Sequence, residues 1–204
     1  MDNLQIGTFG WQMPEGQGDF YPDDMPEEWQ LDYYSNLFRV VLVAESQWLN
    51  WEDDDLEACV EGVEGEFGFY LRIDGLITTA KEAQINAIKQ RFGDLLQGVV
   101  LFSEEMQVAA VSSIDLNSVP LTLISKKVAL PGWHFQINGL QISGNPLGYC
   151  DDLPADGKQQ AALLKNFMLA IPENTEGAAF FIGGDSINMK HVTNLKVVGE
   201  FLGY

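Results

Sequence analysis

The chain has 204 residues, of which 46% are hydrophobic, and it carries a formal net charge of −19. This length suits one domain with a substantial core, and the apolar content excludes a disordered chain. Clustered Lys and Arg, which phosphate contacts need, are missing, so we expect no nucleic-acid binding. We also expect no membrane association, because the sequence has neither a signal-peptide pattern at its start nor an apolar run that could cross a bilayer.

The negative charge is concentrated in the first third of the sequence. Residues 1–66 hold seventeen Asp and Glu but one basic residue, Arg39, whereas residues 67–204 hold thirteen acids and ten bases. A solvated acidic surface is the simplest interpretation. The alternatives are a face that docks a basic protein partner and a mimic of nucleic acid. Cys59 and Cys150 have no metal-like spacing, which predicts a protein of the reducing cytoplasm.

Strand and helix signals alternate along the chain, which predicts an α/β fold with a mostly parallel sheet. Valine-rich apolar runs indicate strands that are buried on both faces. The predicted strands are residues 4–7, 40–44, 67–73, 98–102, 119–124, 133–137, 140–142 and 178–182.

The predicted helices carry capping and periodicity signals. After Pro26, residues Trp29, Tyr33 and Leu37 recur at helical spacing, flanked by Tyr34 and Phe38, and predict a helix that packs by its aromatic face. Residues 53–63 form an acidic helix. The remaining helices begin with a Thr79–Glu82 capping box, with Asp156 and Gln159, and with Asp185 or Ser186.

The size of the chain limits how complete this fold can be. A full TIM barrel typically needs about 250 residues. We therefore predict a reduced or incomplete TIM-barrel-like fold in a single domain over residues 1–204, with helices missing between residues 103 and 155.

The first part of the sequence resembles the YecE-like family, also known as domain of unknown function 72. That TIM-barrel family opens with a strand, a Gly-Thr-x-Gly-Trp turn, a loop that ends in Phe-Tyr-Pro, and a helix with Tyr-Tyr. The matching segments here are Gly7-Thr8-Phe9-Gly10-Trp11, Phe20-Tyr21-Pro22 and Tyr33-Tyr34, followed by weaker matches at 67–72 and 98–102. The resemblance implies a fold and no particular reaction, because the family has no settled activity.

Departures from the family pattern fall on its polar positions. The Glu and Asn that the family carries on its second strand correspond to Leu42 and Ala44, and its later Asn-Asn pair corresponds to Gly183-Gly184. A family lysine position keeps a cation as Arg72. The resemblance therefore implies a diverged paralogue without the parent chemistry.

Candidate site residues follow the predicted strands, where TIM barrels carry their sites. Glu45 and Asp185 could serve as acid and base if both reach one substrate. Arg72 on a buried strand needs either a counter-charge or an anionic ligand. Any α/β protein has some polar residues at these places, so a purely structural role remains the alternative for all three.

Metal and phosphate sites are poorly supported. His134 and His191 have no partner at zinc-ligand spacing, so we expect no metal and no cofactor, although carboxylates could hold Mg²⁺. The pair Gly183-Gly184 could bare N–H groups to a phosphate, but a tight strand–helix turn explains it equally well.

Tryptophans and acids come together in the predicted loops. Trp11, Trp48 and Trp51 fall near the expected site, and the acidic run Asp53, Asp54 and Asp55 follows. They form either a lid over the barrel or a binding surface of aromatic anchors rimmed by charge. The leading hypothesis is a non-catalytic protein that binds a basic protein partner through this acidic, aromatic N-terminal face. The alternative is an enzyme, such as a hydrolase of phosphorylated or sugar-like molecules.

Overall fold

Parallel strands alternate with helices in a computed structural model that describes residues 4–12, 20–104, 116, 118–173, 175, 177–184 and 186–204. The strands are β1 (Leu4–Phe9), β2 (Val40–Val43), β3 (Gly68–Asp74), β4 (Leu96–Phe102), β5 (Leu121–Ser125), β6 (His134–Ile137), β7 (Leu140–Gly144), β8 (Gly148–Cys150) and β9 (Ala178–Ile182). The α-helices are α1 (Gln30–Leu37), α2 (Glu45–Trp48), α3 (Asp53–Glu61), α4 (Thr79–Phe92), α5 (Gly157–Ala170) and α6 (Met189–Leu202).

The nine strands form one sheet in the order β6-β7-β5-β4-β3-β2-β1-β9-β8. All neighbouring pairs are parallel except those of β7, which runs antiparallel to β5 and to β6. The sheet nearly closes into a barrel, and the seam lies between β6 and β8, where the Asn138 side-chain amide donates to Cys150 Sγ at 3.8 Å. The predicted reduced TIM-barrel-like fold with a mostly parallel sheet is thus confirmed.

The strands are apolar on both faces because one face fills the barrel and the other packs on helices. Inside, the ring of Tyr70 meets that of Phe181 at 5.0 Å, edge to face. Outside, Phe69 of β3 contacts Phe92 of α4 at 4.8 Å. Tyr70 and Arg72 share the inner face of β3, since residues two apart on a strand point the same way.

The middle of the chain supplies strands where a full barrel would have helices. Within the described part of residues 116–156, no α-helix occurs, and a hairpin at Asn138-Gly139 joins β6 to β7. Both turn residues have positive φ, 48° and 77°, as a tight hairpin requires. Residues 105–115 lie outside the described residues.

Helix α1 buries one flank of its predicted aromatic face rather than the stripe itself. Trp29 is 63% exposed and Leu37 is also exposed, whereas Leu31, Tyr34 and Phe38 are buried. The chain enters this helix through a 3₁₀ turn at Glu27–Trp29, which leaves Trp29 outside the α-helical register. The prediction was therefore wrong for Trp29 and Leu37, whereas the flanking Tyr34 and Phe38 pack in the interior.

Three of the predicted helix starts can be compared with observed caps. Asp156 accepts hydrogen bonds from Lys158 and Gln159 N–H, as predicted. Helix α4 is capped by Thr78 rather than by Thr79, and α6 is capped by Asn188. Asp185, one of the two predicted caps of α6, lies outside the described residues.

Candidate functional site

The carboxyl ends of β1, β3, β8 and β9 surround an open cavity of about 620 Å³, here called the mouth cavity. Helix α2, which follows β2, also lines this cavity. The cavity is lined by Phe9, Ala44, Glu45, Ser46, Leu49, Arg72, Asp74, Tyr149, Asp151 and Gly184. This is the end of the barrel at which TIM-barrel proteins carry their sites.

Arg72 lines this cavity, and its guanidinium lies between two aromatic rings. Its guanidinium carbon is 4.8 Å from the centroid of Phe9 and 4.2 Å from that of Phe102. Its Nε and one Nη both donate to Asp74 Oδ1, at 2.9 and 2.8 Å. The sequence left two alternatives for Arg72, a counter-charge or an anionic ligand. In the structure, Asp74 supplies the counter-charge.

Glu45 is held on the wall of the cavity by groups from two other elements. Its Oε2 accepts from Lys81 Nζ of α4 and from the Asp74 backbone N–H, both at 2.8 Å. The Lys81 and Glu45 side chains are only 12% and 19% exposed. Lys81 also donates to the carbonyl oxygens of Asp74 and Leu76. These bonds fix Glu45 as a bridge between β3 and the helices α2 and α4.

Tyr149 of β8 forms the opposite wall. Its ring lies 5.0 Å from Phe102, edge to face. Burial raises the pKa of its hydroxyl, although the nearby Arg72 charge acts in the opposite direction. The phenol is therefore a neutral hydrogen-bonding group at neutral pH.

The glycine pair after β9 has structural reasons to be glycine. A Cβ on Gly183 would overlap the Tyr149 hydroxyl, and Gly184 has φ of 98° and lies against the Asp151 backbone. The Gly183 N–H donates to the Cys150 carbonyl at 2.8 Å, so it is not available to a phosphate. A tight turn accounts for the pair, and the third candidate catalytic residue, Asp185, lies outside the described residues.

The three tryptophans of the predicted binding surface lie largely in the interior. Trp48 is fully buried on α2 rather than in a loop, and its Nε1 donates to the Arg72 carbonyl at 2.7 Å. Trp11 is 6% exposed and meets Phe69 edge to face. Trp51 is partly buried against Phe92. In this structure Trp48 has no side-chain surface with which to contact a partner.

The acids predicted for the same surface are exposed. Asp53, Asp54 and Asp55 form the first turn of α3, where negative charge is favoured by the helix dipole. Asp55 also has a capping role, because its Oδ2 accepts from the Glu52 N–H at 2.9 Å. Asp53 and Asp54 are therefore the acids of this run whose charge has no capping role in the described structure.

Other candidate chemistry is weak. Among the described residues, no group of three or more His, Cys, Asp and Glu side chains could hold a metal ion. Cys59 and Cys150 are free and buried, and burial, together with nearby acids, raises the pKa of both thiols. They therefore lack the thiolate character of nucleophilic cysteines.

Sequence reasoning missed the partners that shape this site. Phe9, Phe102 and Lys81 come from three elements, and only the folded barrel brings them to Arg72 and Glu45. Tyr149 lies on β8, a strand of three residues with no periodic signal. Only their position in the predicted fold could have indicated these four residues. Each lies in a strand near its carboxyl end or in the first turn of a helix that follows a strand.

Fold and site together define a reduced TIM-barrel-like protein with a mouth cavity that is lined by an arginine, whose guanidinium lies between two aromatic rings. The model of the family described as "Protein of unknown function DUF72" matches residues 5–111, and the chain belongs to this family. No curated protein sequence matches the chain.

Two solved structures are similar to this one, and both are DUF72 family proteins. The protein from Enterococcus faecalis has a TM-score of 0.61 at 10% identity, with 97% of this chain and 95% of that chain covered. The protein from Thermotoga maritima has a TM-score of 0.60 at 11% identity, with 98% and 99% covered. At these identities the likeness concerns the fold alone.

Within the described residues, no helix is long and apolar enough to span a membrane.

Proposed function

We propose that this chain is a non-catalytic family member that binds a basic protein partner through an exposed acidic face. The observation that carries the proposal is the exposure of nearly every acid in residues 20–66. We define the acidic face as the exposed acids Asp23, Asp24, Glu27, Glu28, Asp32, Glu52, Asp53, Asp54, Asp55, Glu57, Glu61, Glu64 and Glu66.

Little positive charge balances this face. Within residues 20–66 the one basic residue is Arg39, and among the described residues the one ion pair of the face joins Glu57 to Arg91 at 3.1 Å. Helices α1 and α3 are neighbours, because Leu31 packs where α3 ends at Gly62. Their charges therefore add to one negative field, which attracts a basic partner and speeds its association.

An aromatic anchor is present on the same face, at a position other than those predicted. Trp29 is 63% exposed and directly follows Glu27 and Glu28. Exposed tryptophans often carry much of the energy of a protein–protein contact. In this proposal Trp29 takes the role that the sequence assigned to Trp11, Trp48 and Trp51.

The state of the mouth cavity supports a non-catalytic role. Glu45 is bound by Lys81 and by a backbone N–H, and Arg72 is bound by Asp74. A general acid or base needs freedom to exchange a proton with a substrate.

A cytoplasmic location is part of the proposal, and the free thiols of Cys59 and Cys150 support it.

The test is capture of partners from a native-host extract, quantified by mass spectrometry at low and high salt. The bait variants are Asp53→Asn with Asp54→Asn, which leave the Glu52–Asp55 capping box intact, and Trp29→Ala. The control, Glu173→Gln with Glu200→Gln, removes the same charge from exposed positions outside the face. We expect one stoichiometric partner, released by salt and retained about tenfold less by both face variants. Equal retention by the face and control variants would contradict the proposal.

The second candidate is an enzyme, such as a hydrolase that acts on phosphorylated or sugar-like molecules. The observation that favours it is that Glu45 and Arg72 line one cavity at the expected end of the barrel. Its test is a screen with chromogenic phosphate esters and glycosides. Activity that Glu45→Gln abolishes and the exposed-site control Glu57→Gln retains would favour the enzyme over the docking protein.

A further inference from the structure

The Arg72 side chain is fixed before any ligand arrives. The rings of Phe9 and Phe102 lie at 4.8 and 4.2 Å from its guanidinium carbon, and Asp74 Oδ1 accepts from two of its nitrogens. Rings and carboxylate together restrict the rotation of the guanidinium plane. A ligand that binds this group therefore loses little free energy to side-chain ordering.

Part of the guanidinium remains open to the mouth cavity. Of its five N–H donors, Asp74 takes one on Nε and one on Nη. The other three, on the two Nη atoms, have no hydrogen-bond partner among the described residues, and the side chain is 24% exposed. A planar acceptor with two oxygens matches such an edge in the bidentate manner typical of arginine.

The surrounding charges limit how much negative charge a ligand can carry. Asp74 is paired with Arg72 and Glu45 with Lys81, while Asp151 is exposed on the rim. Among these described groups the negative charges outnumber the positive ones by one, which opposes a phosphate dianion more strongly than a singly charged ligand. Phe9, Ala44 and Leu49 supply an apolar wall for the rest of the ligand.

We propose that the mouth cavity binds a small monocarboxylate with an apolar or aromatic body, whose carboxylate pairs with Arg72. The cavity volume of about 620 Å³ lies within the range of small-molecule sites. Such a site is independent of partner docking, because the acidic face belongs to other residues. Loss of one function would leave the other intact.

The experiment compares three probes that share one ring: phenylacetate, phenylacetamide and phenyl phosphate. Binding is measured by ligand-detected NMR titration against the full chain. We expect phenylacetate to bind with a dissociation constant of about 1 mM, as is reasonable for about ten non-hydrogen atoms. The amide and the phosphate should bind at least about tenfold more weakly. Equal binding of acid and amide, preference for the phosphate, or no binding of phenylacetate would each overturn the proposal.

Two variants locate the site. The double variant Arg72→Gln, Asp74→Asn removes the ion pair of the mouth cavity without leaving a lone charge. Its control, Arg91→Gln with Glu57→Gln, removes an exposed ion pair elsewhere. Leu49→Asp adds a negative charge to the cavity wall at a position that is 36% exposed, and Leu37→Asp is its control at 41% exposure. We expect both cavity variants to weaken phenylacetate at least about tenfold and both controls to leave it unchanged. If Arg72→Gln with Asp74→Asn fails to fold, Leu49→Asp decides, and unchanged binding by it would overturn the proposal.

Discussion

The hydroxyl of Tyr34 connects helix α1 to the first two strands of the barrel. It donates to the Val40 carbonyl at 3.0 Å and accepts from the Thr8 N–H at 2.9 Å, and Tyr34 is fully buried. The Thr8 hydroxyl lies 3.0 Å from it and donates to the Gly10 carbonyl at 2.6 Å. Gly7 completes the arrangement, because a Cβ there would overlap the Val40 carbonyl oxygen. We call these residues the opening clamp.

Replacing Tyr34 with Phe should destabilise the protein by about 2 kcal/mol, because the Thr8 N–H and the Val40 carbonyl both lose a buried partner. Tyr33→Phe is the matched control, since Tyr33 is partly exposed and should change the free energy of unfolding by less than about 0.5 kcal/mol. Urea unfolding of both variants measures the difference. Equal changes in the free energy of unfolding for the two variants would show that the opening clamp contributes no net stability.

Two buried ionisable groups predict a loss of stability at alkaline pH. Burial and the nearby Asp55 raise the pKa of Cys59 from 9.0 to about 12, and burial raises that of Tyr70 from 10.0 to about 12. Above their ordinary values the unfolded chain releases these protons while the folded chain keeps them. Stability is therefore intact below about pH 9 and falls as the pH rises toward 12, by up to about 1.4 kcal/mol per pH unit from Cys59 above 9.0 and as much again from Tyr70 above 10.0.

Free energies of unfolding across this pH range test the assignment. Cys59→Ala and Tyr70→Phe should each reduce the alkaline slope, and the double variant should reduce it further. A slope that neither substitution changes would mean that other groups cause the alkaline loss.

At the scale of elements, the long, capped helices and buried strands could be predicted because their signals are local. Helix α4 has its apolar residues Ile85, Ile88 and Phe92 at helical spacing and ends at Gly93 with positive φ. Helix α2 has only four residues, so no periodicity distinguishes it from a loop, and Trp48 was misplaced for that reason. Strand β8 was missed because three residues are too few to show alternation.

The candidate site was predictable only in part. The need of Arg72 for a counter-charge follows from its buried strand, and Asp74, two residues away on the same face, supplies it. The bond between Glu45 and Lys81 joins residues 36 positions apart, so it depends on how α2 and α4 pack around β3. Sequence spacing carries no information on such a contact.

The Glu45–Lys81 pair should couple α2 to α4 energetically. Both side chains are mostly buried, and removal of either one leaves the other charge without its partner. A double-mutant cycle with Glu45→Gln and Lys81→Met should give a coupling energy of about 1–2 kcal/mol in urea unfolding. The exposed pair Glu57 and Arg91 is the control and should couple by less than about 0.5 kcal/mol. Additive effects at Glu45 and Lys81 would contradict this bridging role.

At the scale of the whole molecule, the barrel is closed everywhere except at one seam. Within the described chain, β6 and β8 share no backbone ladder, and both are short strands of four and three residues. Short edge strands limit pairing with other molecules. The described residues between 116 and 156 contain strands and no α-helix, and their local signals predicted strands without indicating how the barrel closes.

Hydrogen exchange should reveal the seam as the least protected part of the sheet. Amides of β6 and β8 should exchange about tenfold or more faster than those of β1, β2 and β3, which have strand neighbours on both sides. Mass spectrometry of peptides from each strand measures this difference under native conditions. Uniform protection across all strands would mean that the barrel opens only as one unit.

The opening clamp also bears on what membership of this family means. Gly7, Thr8 and Tyr34 belong to the segment that matches the family model, and their contacts join β1, β2 and α1. None of them lines the mouth cavity. These residues assemble the barrel without lining its mouth, so two proteins that share them can act on unrelated molecules.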